Sequence, residues 1–136
     1  KKVSKKQIVD MEIKKTGKLF SFCCVVPAII KEKSVKEIKF FENVGSDIGL
    51  LFQIADDLLD FKGNSKIAGK KTKKDQKKGK ATLISLLGYD ASIKYCGKII
   101  SDINRNLKIY GSKSKKLNDT LEFILNRNKW KIITSF

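Results

Sequence analysis

Apolar positions recur along this chain at intervals of three and four residues, the period of an α-helix. No segment alternates with the period of two that a half-buried strand requires. Ser4 is placed to cap a first helix, in which Ile8, Met11, Ile13, Gly17, Leu19 and Phe20 lead into an apolar stretch ending at Ile30. Pro27 is expected to kink or interrupt that helix, since its ring removes a backbone donor and crowds the preceding turn. Ser34 caps the next helix, predicted from Val35 to about Phe61, with Gly63, Asn64 and Ser65 breaking it. Residues 67–80 read as a lysine- and glycine-rich loop with almost no apolar anchors. Ala81–Leu87 reads as a short apolar helix. Another begins near Tyr89 and Asp90 and carries Ile93, Cys96, Ile99, Ile100, Ile103 and Leu107, until Gly111 and Ser112 end it. Leu117, Leu121, Phe123, Ile124 and Leu125 mark the last one. The pattern predicts an all-α helical bundle.

The second predicted helix carries an anomaly. At about 100° per residue, Gln53, Asp56, Asp57 and Asp60 share one face, while Leu51, Ile54, Ala55, Leu58 and Leu59 cover much of the remaining circumference. A helix apolar over most of its surface is expected to be buried. Three buried carboxylates repel one another and lose hydration, so they stay ionised only with cations among them. The arrangement asks for a metal site facing an anionic ligand.

The rest of the charge has the opposite sign. Thirty basic residues against 14 acidic ones give a formal charge of +16, and Arg105 and Arg127 are the only arginines. Nucleic-acid readers lean on arginine for base and phosphate contacts, so lysines spread along most segments read as solvated helix faces. The lysines of 66–80 lie close behind the acidic face, with Gly69, Lys70, Asp75, Gly79, Lys80 and Thr82 among them. Lysine offers a compact charge to phosphate oxygens, and glycine lets the backbone come close. Such a loop beside metal-binding carboxylates can wrap a polyphosphate.

Other classes are disfavoured. No run reaches the roughly 18 uncharged apolar residues that span a bilayer; the stretch from Leu19 to Ile30 is too short, carries Pro27 and shows no convincing leader-peptide cleavage pattern. With no histidine, and with Cys23, Cys24 and Cys96 lacking a Cys-x-x-Cys spacing, zinc is not expected. The cysteines read as small buried apolar residues in a reducing compartment. A start at Lys1 that enters a helix almost at once reads as a piece of a longer protein.

Taken together, Gln53-x-x-Asp56-Asp57-x-x-Asp60, Gly69-Lys70, Asp75 and Gly79-Lys80-x-Thr82 resemble the second aspartate-rich region of the trans-type polyprenyl diphosphate synthases, the farnesyl and geranylgeranyl diphosphate synthases. Lys15-Thr16-Gly17-Lys18-Leu19-Phe20 resembles that family's Lys-Thr-Gly helix, and Phe123–Lys129 its C-terminal helix in bacterial short-chain members. The resemblance implies the C-terminal part of the isoprenoid synthase fold over residues 1–129, followed by an extra tail, 130–136. Ile84 stands where many members have proline, and Lys73 and Lys74 where a further glycine is common. The family's first aspartate-rich motif has no counterpart in this chain.

The resemblance also implies an activity. The whole enzyme condenses an allylic diphosphate with isopentenyl diphosphate, using Mg2+ to assist loss of diphosphate. Carried over by position, Lys15, Thr16, Gln53 and Asp56 are the expected catalytic residues. Lys15, Thr16, Gln53, Lys70 and Lys80 are expected to bind substrate, with Asp75 in the closing loop. Asp56, Asp57 and Asp60 are the expected metal residues, Asp57 as a supporting or lysine-paired member. A cytoplasmic homodimer is implied for the full-length protein, with no nucleic-acid partner and no stable membrane insertion, and the isolated chain is expected to be inactive. Phe20, Phe22, Phe52 and Phe61 read as core or cavity wall. Three alternatives stay open: a non-catalytic subunit that completes another synthase, a basic nucleic-acid-binding module using residues 66–80, and a terpene cyclase on the same fold.

Overall fold

The structure, a computed structural model, describes residues 3–67 and 82–130, with side chains for 3–62 and 82–126. Among the described residues all regular structure is helical. Helix α1 (Lys5–Glu12) runs through a π-helical turn (Ile13–Gly17) into α2 (Lys18–Ile30). The long α3 (Val35–Ile67) follows, then α4 (Leu83–Leu87), α5 (Tyr89–Leu107), a 3-10 turn (Lys108–Ser114) and α6 (Lys115–Trp130).

Helix starts follow local chemistry. Ser4 and Gln7 form a reciprocal capping box at α1. Ser34 and Glu37 do the same at α3, the Glu37 backbone N–H donating to Ser34 Oγ at 3.3 Å and the Ser34 N–H to Glu37 Oε2 at 3.1 Å. At α4 the capping residue is Thr82, whose hydroxyl accepts from the Ser85 N–H at 3.1 Å. That helix therefore starts at Leu83 rather than at Ala81, which lies outside the described residues.

Two expected interruptions do not occur. Helix α2 continues through Pro27 to Ile30. Pro27 is exposed, on the side away from the buried Ser21 and Ala28, so the backbone bond it removes is lost where water can replace it. The helix instead stops at Glu32, which adopts the left-handed φ of 50° while Lys33 N–H donates to Ala28 O and Glu32 N–H to Ile29 O. Helix α3 likewise runs past Gly63, Asn64 and Ser65. Glycine costs a helix interior about 1 kcal/mol, which an established helix tolerates because elongation is easier than nucleation.

Helix α3 is the axis of the molecule, and every other helix packs on it. Its Val44, Ile48, Leu50, Leu51, Ile54, Ala55 and Leu58 join Cys96, Ile99, Ile100, Ile103 and Leu107 of α5 and Leu121 and Ile124 of α6 in one core. The burial expected for the apolar face around the aspartates is thus present. Against α2 the contact is different: small residues let two backbones meet. A Cβ on Gly45 would lie 2.5 Å from Ser21 Cα, and one on Gly49 would collide with the backbone of Gly17. Ser21 also donates its hydroxyl to Glu42 O at 3.0 Å across this seam.

Some side chains depart from expectation. Phe20 and Phe52 pack together, with ring centroids 5.4 Å apart, as cavity-wall residues would. Phe22 is 65% exposed, however, and Phe61 is half exposed, stacking on Tyr89 of α5. Cys96 is buried but Cys23 is exposed. The reason is shared: Phe22 and Cys23 lie on the side of α2 that faces away from α3, along with Leu19, Ile29 and Ile30. No helix among the described residues is long and apolar enough to cross a membrane.

Candidate functional site

The π-helical turn meets the middle of α3 at the Gly17–Gly49 contact. In the turn, the Lys18 N–H reaches back to Ile13 O, one residue further than in an α-helix. This wider turn carries Lys15 and Thr16. Close approach of the backbones then puts Thr16 beside Gln53, one helical turn beyond Gly49. The Thr16 hydroxyl donates to Gln53 Oε1 at 3.0 Å. With its oxygen so engaged, the buried Gln53 leaves its amide N–H groups for other acceptors, and Asp57 lies one turn further along the same face.

Asp57 is a perturbed carboxyl on this face. Its pKa is pushed up to about 6, first by burial and then by the negative charge of Glu12; Asp60 adds to the rise, while Lys15 and the Gln53 hydrogen bond oppose it. The three aspartates are not equally enclosed as expected: Asp56 and Asp57 are half-buried, and Asp60 is exposed. The long axis of α3 leaves the core near Asp60, where Phe61 is also half exposed. Lys15 is exposed, with its charge acting on Asp57. Lys15, Thr16, Gln53 and Asp57 therefore come together, with Asp56 and Asp60 on the same helical face. Lys70, Asp75 and Lys80 lie outside the described residues.

One neighbour was absent from the sequence expectations. Glu12 ends α1 only 5% exposed, and its Oε2 has no hydrogen-bond partner. Its signal in the sequence was its position: four residues after the buried Ile8, it falls on the inward stripe of α1.

Hard carboxylate oxygens suit Mg2+. Among the described residues no three acidic, cysteine or histidine side chains gather closely enough to hold an ion by themselves. Mg2+ does not require such a cage, because it commonly takes one or two carboxylates and fills the rest of its octahedron with water and substrate phosphates. The donor set, with the unpartnered Glu12 Oε2 buried on the turn facing Asp57, fits that mode. A wide, open depression of about 550 Å3 along α1, lined by Gln7, Asp10, Met11, Lys14 and Lys15, touches this site only through Lys15. It is open to water on one side and encloses no site.

The raised Asp57 pKa has a consequence for stability. An unfolded aspartate releases its proton near the ordinary 3.8. Between there and about 6 the folded chain binds more protons than the unfolded one, so the stability linked to Asp57 is greatest below that window and is lost as pH rises through it. Asp57→Asn is expected to gain roughly 1 kcal/mol over the parent at neutral pH, a value discounted for the solvent screening of a half-exposed group, and to gain nothing near pH 3.5. Urea unfolding of both chains at the two pH values checks this; a pH-independent difference would contradict it.

An all-α bundle whose axial helix presents carboxylates to a lysine, a threonine and a glutamine has the isoprenoid synthase fold. The chain belongs to the polyprenyl synthetase family, which it matches over residues 1–122. It is similar to geranylgeranyl pyrophosphate synthase 4 of Arabidopsis thaliana, at 36% identity over 87% of this chain and 32% of that protein. It is 31% identical to the farnesyl diphosphate synthase of Micrococcus luteus over 90% of this chain and 42% of the relative. A heterodimeric geranylgeranyl pyrophosphate synthase large subunit 2 of Arabidopsis thaliana is 36% identical over 88% of this chain and 32% of its own length. The chain thus spans less than half the length of these relatives.

Proposed function

We propose that this chain is the part of a prenyl diphosphate synthase that carries the second aspartate-rich site, joining an allylic diphosphate to isopentenyl diphosphate. The observation that carries this reading is the Thr16–Gln53 hydrogen bond beside Lys15 and the perturbed Asp57, inside a family-matched scaffold. Asp56 and Asp60, with Asp57 in support, would hold Mg2+, which when bound offsets the negative charge gathering on the departing diphosphate. Lys15 places a compact ammonium on the diphosphate oxygens. The oxygens of Thr16 and Gln53 are fixed by their mutual hydrogen bond, so their dipoles can face the allylic cation without reorganising. The double bond of isopentenyl diphosphate attacks that cation, and a proton is then lost. By their positions in the family motif, Lys70 and Lys80 would bind the diphosphate. Residues 1–129 form the synthase portion and 130–136 a tail; the full-length protein works as a cytoplasmic homodimer.

The test is calorimetric binding of inorganic pyrophosphate and dimethylallyl diphosphate to the chain with and without Mg2+. Binding is expected to require Mg2+ and to weaken by about tenfold or more in the Asp56→Asn, Asp60→Asn double variant. Equal binding without Mg2+, or indifference to the double variant, would sink the proposal. With both substrates and Mg2+ present, the chain alone is expected to yield no elongated product.

A second reading is favoured by the relative named as a subunit of a heterodimeric synthase. Here the chain would be a non-catalytic partner that completes another synthase. The coding sequence before Lys1 separates the two: an open frame with a second Asp-Asp motif supports the enzyme, whereas a start codon adjoining Lys1 supports the partner.

A further inference from the structure

We propose that Glu12 is a cation-binding residue of this site, forming with Asp57 a two-carboxylate seat for a divalent cation that bridges α1 and α3. The inference rests on the reading of the α3 face as a metal site, but it adds a donor from outside the aspartate-rich segment.

Three observations carry it. Glu12 is 5% exposed and its Oε2 accepts no hydrogen bond. Among the described residues no ion pair joins it. Glu12 stands one turn before Thr16 and Asp57 one turn after Gln53, and the 3.0 Å Thr16–Gln53 hydrogen bond joins these antiparallel segments, so the two acids lie on facing turns, where the charge of Glu12 acts on Asp57. An enclosed carboxylate facing a second acid is unfavourable unless a positive charge or a donor lies between them. Among the described residues no group supplies this: Gln53 Oε1 is taken by Thr16, and Lys15 is exposed and makes no ion pair with Glu12. A divalent cation would neutralise both carboxylates at once and occupy the vacant lone pairs of Oε2. Two carboxylates with water and phosphate oxygens completing the shell is a normal Mg2+ environment.

The position has a structural consequence. Glu12 is the last residue of α1, and the π-helical turn bearing Lys15 and Thr16 starts at the next residue. A cation held between Glu12 and Asp57 would therefore fix that turn against α3, ordering Lys15 and Thr16 over the site.

Mn2+ alone, without any diphosphate, is the probe. Free Mn2+ counted by its electron paramagnetic resonance signal gives the affinity of the intact chain. Glu12→Gln, nearly the same size, is expected to raise the apparent Kd about tenfold, and Asp57→Asn to do the same, with little further loss in the double variant. Circular dichroism checks that each variant is folded. As a measurement needing no variant, Mn2+ added to a chain carrying 13C-labelled glutamate should broaden the Glu12 carboxyl resonance before the exposed glutamates. Mn2+ binding that is unchanged in Glu12→Gln would overturn the role of Glu12 while leaving the α3 metal site intact. A Glu12 resonance untouched by Mn2+ would overturn it in the same way. An intact chain that fails to take up Mn2+ even with pyrophosphate present would overturn both the Glu12 seat and the proposed function.

Discussion

Gly49→Leu is expected to cost the chain roughly 3 kcal/mol or more of stability and to abolish the Mg2+-dependent binding of pyrophosphate. A Cβ at this position would collide with the backbone of Gly17, and a ring carbon of Phe20 lies 3.3 Å from the same point. Overpacking usually costs about 1–3 kcal/mol because side chains can shift. Here the obstacle is main chain, and relief requires α2 and the π-helical turn to move off α3. That movement would separate Thr16 from Gln53, whose 3.0 Å hydrogen bond is made one turn along the same helix. Stability and binding should therefore fall together. Urea denaturation followed by circular dichroism measures the first and calorimetry the second. A variant losing less than about 1 kcal/mol would show that the seam is softer than the geometry implies.

The second large effect belongs to the core. Leu51 has no exposed surface and sits on α3 two residues before Gln53. Truncation to alanine removes its transfer free energy and leaves a cavity that well-packed neighbours fill incompletely, a loss of about 3 kcal/mol. Ile109→Ala is the matched control: at 78% exposure it is expected to change stability by less than about 0.5 kcal/mol. Comparable midpoints for the two variants in urea would mean that α3 is not the packed axis described above. The two predictions probe different supports of the site. Leu51 sits in the core that α3 shares with α5 and α6, whereas Gly49 sets the distance of α3 from Gly17.

Much of this was legible along the chain. Ser4 and Ser34 announce helix starts because capping is local, satisfied by residues three positions away. The period of Cys96, Ile99, Ile100, Ile103 and Leu107 shows one face of α5, and all five are buried. The burial of Leu51, Ile54, Ala55 and Leu58 follows from the same period on α3. Single helix-weakening residues did not end the helices. Pro27 and the Gly63–Asn64–Ser65 group weaken helices by amounts that neighbouring turns can absorb. Thr82 shows the opposite case. Its hydroxyl sets the start of α4, a single residue's chemistry that a search for apolar runs passes over.

The sequence by itself determined the helical class, the shared face of Gln53, Asp56, Asp57 and Asp60, and the kinship carried by Lys15, Thr16 and Gly17, because periodicity and short motifs are properties of neighbouring residues. Only the tertiary structure decided that Asp60 faces solvent, that Thr16 bonds Gln53, that a π-helical turn carries Lys15, and that Glu12 is buried on the turn facing Asp57. Those facts depend on how closely α1 and α2 approach α3. That distance is set by glycine meeting glycine between segments far apart in the chain, and no local pattern encodes it.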